Sequence, residues 1–229
     1  MRGALRFACL ALALLLLGGG AIRWGGWWRV VEVKVTGDHH LPPKLRAQLT
    51  HIVSSANILR LDLRGFRDRI LSLPWVREVQ LGVDPVGRRI RIYVWEREPV
   101  GRVAYEGGTE VWVDDEGVVV GQADQAWLVV APGQGGWVSL EVAQAAEAVE
   151  GVDPALLSLI APINATDPQA VVAEPPLGPR IRFGPIGNLP QRLAILGELW
   201  EEQLAGRFNF SSYAEVDLRW EGQVILKPR

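Results

Sequence analysis

The residue types that could do metal chemistry in this chain are few and poorly clustered. Residues 114–117 read Asp-Asp-Glu-Gly, whereas a calcium loop of the EF-hand type spreads its ligands over roughly twelve residues, so an acidic β-turn is predicted here instead. The three histidines have no second cluster of ligands nearby that would complete a zinc site. They are His39, His40 and His51. We therefore predict no metal and no other cofactor.

Nucleophilic and phosphate-binding motifs are also missing from the sequence. No Gly-x-Ser-x-Gly turn and no paired His-Ser or His-Cys motif occurs, and the glycines of residues 133–136 do not lead from a strand into a helix as a phosphate loop does. The one cysteine, Cys9, lies in an apolar run and excludes a disulfide framework. The sequence therefore predicts that the chain is not an enzyme. A periplasmic enzyme is the alternative, and it would need titratable residues clustered in a deep pocket.

Charge is distributed unevenly along the 229 residues, although the net charge is only −2. Residues 1–29 carry +4, residues 30–98 carry +4, and residues 99–229 carry −10. Nucleic-acid binding needs a concentrated basic surface, which this balance does not supply. A basic part beside an anionic membrane and an acidic part far from it is the arrangement that this asymmetry favours.

The amino-terminal segment predicts a single transmembrane helix. An uncharged run at residues 7–22 is followed by Arg23 and then by Trp24, Trp27 and Trp28. Since tryptophan is enriched at membrane interfaces, we predict a short cytoplasmic tail at residues 1–6 and an anchor with a tryptophan belt at residues 7–28. A cleaved signal peptide has the same charged start and apolar core, so the sequence leaves retention or cleavage open. In both cases the bulk of the chain is exported.

Hydrophobic periodicity predicts an α+β unit at residues 30–98. Strands are expected where apolar and polar residues alternate, at residues 30–37, 79–83 and 90–94. Two helices are expected between the first two strands, one carrying Leu45 and Leu49 and one carrying Phe66 and Ile70. The predicted order is therefore β-α-α-β-β.

Residues 99–229 predict a mostly antiparallel β domain with flanking helices. Helices are expected at residues 139–150 and 190–204, and the proline-rich stretch 162–179 is expected to be a loop or an irregular edge. The predicted strands are short and separated by Gly, Pro and Asp. They cover residues 102–105, 110–113, 117–121, 127–131, 180–183, 214–220 and 223–227.

Several short motifs, in this order, resemble the FtsQ/DivIB family of cell-division proteins. They are Val-Val-Glu-Val-Lys-Val-Thr-Gly at residues 30–37, Leu-Pro-Trp-Val at 73–76, Asp84-Pro85, the run 90–100 that ends in Glu-Arg-Glu-Pro-Val, Phe183-Gly184, and Val-Asp-Leu-Arg at 216–219. Two residues depart from the family pattern, which usually has Ala at the position of Gly101 and often Trp at that of Asp84. Both changes are expected at loop edges, where they do not threaten the fold.

The resemblance implies a bitopic protein whose first exported domain is a POTRA fold and whose second is a β domain. It further implies a non-catalytic divisome scaffold at the septum of the cytoplasmic membrane, with its amino terminus in the cytoplasm. The implied partners are FtsB/DivIC-type and FtsL-type proteins, which bind in part by adding a strand to the last strand. The alternative is a POTRA-bearing polypeptide-binding component of a secretion or assembly system, which would be expected to run on into a transmembrane barrel.

Two groups of residues are the candidate sites. A terminal strand with unpaired backbone groups is a template for another chain, and the partner-binding residues predicted there are Trp220, Gly222, Gln223, Val224, Ile225 and Leu226. A second group forms a candidate membrane-proximal basic face, which would be attracted to anionic lipid or to an acidic partner. Its members are Arg64, Arg67, Arg88 and Arg89.

Overall fold

The computed structural model describes residues 29–37, 57, 61–133 and 135–229. The predicted tail and anchor at residues 1–28 lie outside these ranges, as do the first predicted helix of the small domain, the three histidines and Cys9. Within the described ranges, no helix has the length and apolar character needed to cross a membrane. The chain divides into two compact units, the first ending at Glu96 and the second beginning at Arg97.

The first unit is built on a three-stranded sheet. Its elements are β1 (Glu32–Thr36), α1 (Leu63–Leu71), β2 (Val76–Asp84) and β3 (Arg89–Glu96). The strand order is β1-β3-β2, with β1 parallel and β2 antiparallel to the central β3. The sequence predicted all four elements to within a few residues, because their periodicities are regular.

Alternation along β3 divides the first unit into a packed face and an open face. Ile90, Ile92 and Val94 are buried and share one core with Phe66 and Ile70 of α1. The intervening residues of β3 point to the opposite face. Asp62 is the N-cap of α1, and its Oδ1 accepts the N–H of Gly65 at 3.0 Å.

The second unit contains a nine-stranded sheet. Its strands are β4 (Pro99–Tyr105), β5 (Glu110–Asp114), β6 (Val119–Gln122), β7 (Leu128–Val130), β8 (Ile163–Ala165), β9 (Val171–Ala173), β10 (Arg180–Gly184), β11 (Tyr213–Asp217) and β12 (Ile225–Pro228). Its helices are α2 (Leu140–Glu150), α3 (Pro154–Ile160) and α4 (Leu189–Leu204). The strand order is β12-β11-β10-β9-β8-β7-β4-β5-β6.

The sheet is mixed, with an antiparallel majority. Five of its eight pairings are antiparallel, and the other three, β4–β7, β7–β8 and β10–β11, are parallel. Parallel neighbours need a crossover connection, which α2 with α3 supplies between β7 and β8, and α4 supplies between β10 and β11. The prediction of an α+β fold is confirmed.

The expectation of a loop or an irregular edge at residues 162–179 is wrong. This stretch contains β8 and β9, which lie near the middle of the sheet and whose Ile163, Ala165, Val171 and Ala173 are buried. Strands of three residues are too short to show an alternation, and the surrounding prolines gave a loop signal. The helix α3 was missed for the same reason of length.

Gly101 does not lie at a loop edge, contrary to the expectation from the sequence. It is buried inside β4, where α2 crosses the strand closely. A methyl group at this position would lie 2.5 Å from the carbonyl carbon of Ala146 and 2.7 Å from the amide nitrogen of Glu147. The alanine that the family usually has would therefore require α2 to shift outward.

Candidate functional site

The two edges of the nine-stranded sheet differ in how they are covered. Along β6, the segment at residues 136–138 runs beside the strand, and the N–H of Val119 donates to the carbonyl of Gly136 at 2.9 Å. Val118 also forms an isolated bridge with Trp137. β12 pairs with β11 on one side, and no described strand pairs with its other side. β12 is therefore the open edge.

The hydrogen bonds of β11 show which backbone N–H and carbonyl groups of β12 point away from the sheet. The N–H of Leu218 donates to the carbonyl of Arg182 at 2.9 Å, on the β10 side. Because successive N–H groups of a strand point to opposite sides, the N–H of Asp217 faces β12, where its register partner is Ile225. Ile225 therefore exchanges hydrogen bonds with β11, and the backbone groups of Leu226 point away from the sheet.

The end of the chain shows the same alternation of backbone groups that face β11 and backbone groups that point away from it. The N–H of Arg229 donates inward to the carbonyl of Ser212 at 3.3 Å, so Pro228 occupies an outward position. Proline has no N–H to offer, and it is tolerated in strands where that group would face solvent. Within β12, the N–H of Leu226 is thus the outward donor available to another chain.

The side chains of this segment divide between the core and the solvent. Val224 and Leu226 pack against the core of the second unit. Ile225 is 40% exposed, and Trp220, at the start of the turn that precedes β12, is 55% exposed. These two side chains place apolar area beside an open strand edge.

The turn before β12 contains Gly222 and Gln223. Gly222 has a φ of +65°, which glycine adopts without strain, and the N–H of Gln223 donates to the carbonyl of Trp220 at 3.4 Å. The strand begins at Ile225 and not at Gln223, so the predicted bounds 223–227 are shifted by two residues at the start and one at the end. Gln223 and Val224 belong to the approach to the strand.

Arg192 of α4 holds this turn from inside the protein. Its side chain is buried, and its guanidinium donates to the carbonyls of Arg219 and Trp220, each at 3.3 Å. Its Nε is buried without a hydrogen-bond partner. The turn that carries Trp220 is therefore fixed to a helix by a buried cation, a role that the apolar periodicity of α4 gave no means of predicting.

Two ion pairs stabilise β11 beside the open edge. The Lys227 ammonium donates to Glu215 across the β11–β12 pair at 2.6 Å, which holds the pKa of Glu215 below its ordinary value. The side chain and the N–H of Arg219 donate to Asp217, which is buried, and hold its pKa below the ordinary value as well. The edge therefore depends on ionised carboxylates.

The acidic residues 114–117 form a structural turn, as the sequence predicted. Asp114, the last residue of β5, is buried. Its carboxylate accepts the N–H groups of Glu116 and Val118 at 3.0 and 2.7 Å and pairs with Arg97. Sequence analysis missed this ion pair, although Arg97 lies in the Glu-Arg-Glu-Pro motif. In the part of the chain that the structure describes, no group of three or more His, Cys, Asp or Glu residues is arranged to hold a metal.

The four arginines predicted to form a basic face do not share one face of the first unit. Arg64 and Arg67 lie on α1, and the Nε of Arg67 donates to the carbonyl of Val79 at 3.3 Å. Arg89 alternates with buried Ile90, so its side chain lies on the face of the sheet opposite α1, where it pairs with Glu32. Arg88 lies in the β2–β3 turn between these surfaces.

Comparisons with known proteins agree with this architecture. Residues 29–97 match the family described as the POTRA domain of FtsQ type. The chain is also 28% identical over 141 residues to the cell division protein FtsQ of Corynebacterium glutamicum. That alignment covers 62% of this chain and 58% of the relative, so the chain spans less than two thirds of the relative's length.

The fold and the comparisons together define a class of protein, one with an FtsQ-type POTRA domain followed by a sheet domain with an open edge. Residues 29–97 match that POTRA family and the chain is similar to an FtsQ protein, and both findings support a place in the FtsQ/DivIB family of cell-division proteins.

Proposed function

We propose that this protein is a non-catalytic scaffold of the divisome that links septal cell-wall synthesis proteins through protein contacts. FtsB/DivIC-type and FtsL-type proteins would bind it by adding a strand to β12. The observation that carries this proposal is the open edge at β12, where Leu226 directs its N–H and carbonyl away from the sheet. The FtsQ-type POTRA domain and the similarity to an FtsQ protein support a role in cell division.

In strand addition, backbone hydrogen bonds and side-chain contacts both contribute to the binding free energy. A net gain of about 0.5–1.5 kcal/mol per hydrogen bond is typical, and only alternate residues of β12 face outward. Micromolar affinity needs about 8 kcal/mol, more than these few bonds provide. Exposed Trp220 and Ile225 must therefore contribute much of the affinity, as aromatic anchors commonly do at interfaces.

Paired tryptophan substitutions test this proposal in the full chain. Trp220→Ala should strongly reduce co-purification of FtsB/DivIC-type and FtsL-type proteins from detergent-solubilised membranes. Trp137→Ala removes a side chain of matched exposure, 52% against 55%, from the covered edge of the same sheet and should leave co-purification intact. Equal retention in both variants would show that the partners dock elsewhere, and capture of unrelated unfolded polypeptides would favour the secretion-type alternative.

We also propose that the protein is a single-pass protein of the cytoplasmic membrane, concentrated at the septum, with residues 7–28 retained as its anchor. The full chain should then resist extraction by alkaline carbonate, and external protease should digest the part beyond Arg29. A soluble mature protein that begins near residue 22 would contradict retention without bearing on the edge at β12.

A further inference from the structure

The β2–β3 turn lies at the end of the first unit where the chain enters from the predicted anchor. β1 and β3 are parallel, and Glu32 pairs in register with Arg89, which also pairs with Asp84 at the end of β2. The turn between Asp84 and Arg89 therefore shares one end of the sheet with the start of β1. A hydrogen bond of 2.9 Å from the N–H of Val31 to the carbonyl of Arg88 joins the two segments.

The small number of residues between β1 and the predicted anchor limits the distance from this turn to the anchor. Val31 is three positions after Trp28, the last tryptophan of the predicted belt. An extended chain spans at most roughly 3.6 Å per residue, so Val31 lies within about 11 Å of Trp28. The interfacial zone on each side of a bilayer is several ångströms deep, and a belt tryptophan within it keeps the turn within reach of lipid headgroups.

The turn exposes apolar side chains beside cations, the combination that an interfacial contact needs. Val86 at the turn is 93% exposed and Val31 is 64% exposed. Among the described residues of the first unit, the only other exposed large apolar side chain is Trp95, at 45%. Arg29, Arg88 and Arg89 supply positive charge at the same end of the sheet.

The two acidic residues that the structure describes at this end of the sheet each have a hydrogen-bond or ion-pair partner. The Oδ1 of Asp84 accepts the N–H of Gly87 at 2.8 Å and so closes the turn, and Glu32 pairs with Arg89 at 2.9 Å. Among the described residues, this end of the sheet carries three arginines and two carboxylates, and Val86 is its most exposed apolar side chain. A bilayer with anionic headgroups is the partner that combines an apolar layer with negative charge at this distance from the anchor.

We infer that the turn at residues 85–88 is a membrane-contacting loop, in which Val86 enters the headgroup region of the bilayer and the neighbouring arginines contact lipid phosphates. The first unit is then held against the membrane at two points, the anchor and this turn. This inference rests on retention of the anchor but not on strand addition at β12, so the two can fail separately.

An environment-sensitive fluorophore on a single cysteine tests the inference in the full chain, reconstituted in vesicles that contain anionic lipid. With Cys9 replaced by Ser, the label is placed at Val86→Cys, and nitroxide-bearing lipids serve as the quencher. Leu177→Cys is the matched control, since Leu177 is an 87% exposed apolar residue of the second unit. Glu78→Cys is a control in the same unit, six residues from Asp84 along β2, which is roughly 20 Å.

We expect the label at position 86 to be quenched at least about twofold more than either control, because it would lie within the 5–10 Å headgroup boundary. Quenching at position 86 no greater than at positions 78 and 177, in a chain that resists carbonate extraction, would overturn the inference. Equal quenching at positions 86 and 78 would also overturn it, since the whole sheet face and not the turn would then lie on the membrane.

Discussion

Replacing Arg192 by Met should weaken partner binding at least about tenfold and lower the folding stability by only about 1 kcal/mol. Arg192 donates two hydrogen bonds to the turn before β12, each at 3.3 Å. At the lower end of the range for charged donors, about 1.5 kcal/mol each, their loss costs about 3 kcal/mol. Methionine also removes a buried Nε that has no partner, and relief of such a group returns about 1–3 kcal/mol. The net loss of folding stability should therefore be only about 1 kcal/mol.

The partner affinity should change for a different reason. Without Arg192 the turn that carries Trp220 is no longer fixed to α4, and a partner must order it on binding. A cost of about 1.4 kcal/mol corresponds to a tenfold weaker complex, and ordering several residues costs at least this much. Titration calorimetry gives the affinity, and thermal unfolding gives the stability.

Arg207→Met is the matched control for Arg192→Met. It removes an exposed arginine that pairs with Glu202 of α4, away from the turn before β12. This variant should bind normally. If Arg192→Met binds partners as tightly as Arg207→Met does, Arg192 does not position the site.

Three further predictions concern β12, the packing of α2 on β4, and the pH dependence of stability. Leu226→Pro should leave the protein folded but abolish partner binding, whereas Ile225→Pro should disrupt the β11–β12 pair. Circular dichroism reports the folding of each variant, and a binding assay reports the partner. Partner binding by a folded Leu226→Pro variant would contradict the outward direction assigned to the N–H of Leu226. Gly101→Ala should destabilise the second unit by about 1–3 kcal/mol through overpacking against α2, measured by urea unfolding, and an unchanged midpoint would show that the helix shifts freely. The pKa values of Glu215 and Asp217 are lowered on folding, so their ionised carboxylates stabilise the folded state at pH values above the ordinary carboxyl pKa of about 4. This stabilisation should be lost as the pH falls through their folded pKa values. Glu215→Gln should therefore reduce the dependence of the free energy of unfolding on pH in the acid range.

Much of the fold could be predicted from the sequence, because long regular elements leave a clear pattern. The alternation in β2 and β3 and the helical spacing in α2 and α4 gave bounds within a few residues of those observed. The short strands β8 and β9 gave no such signal, since three residues cannot establish a period and nearby prolines suggested a loop. Their place in the sheet depends on burial by residues distant in the chain.

The candidate site could be predicted only in part. The sequence pointed to the last strand, but the parity of its backbone groups depends on the register with β11 and on the direction of the Leu218 hydrogen bond. The contacts of Arg192 with the turn join residues 27 and 28 positions apart and leave no local pattern. The sequence suggested one basic face because four arginines are close in the chain. The alternation of side chains along β3 places Arg89 on the face of the sheet opposite Arg64 and Arg67 of α1.

Residue-resolved amide hydrogen exchange of β12, with and without an FtsB/DivIC-type partner, tests the central claim most directly. In the free protein, the N–H groups of Ile225 and Lys227 should be protected by β11, and that of Leu226 should exchange rapidly. Strand addition predicts that the partner protects Leu226 strongly and changes its neighbours little. Tight binding that leaves the exchange of Leu226 unchanged would contradict the claim that partners add a strand at this edge.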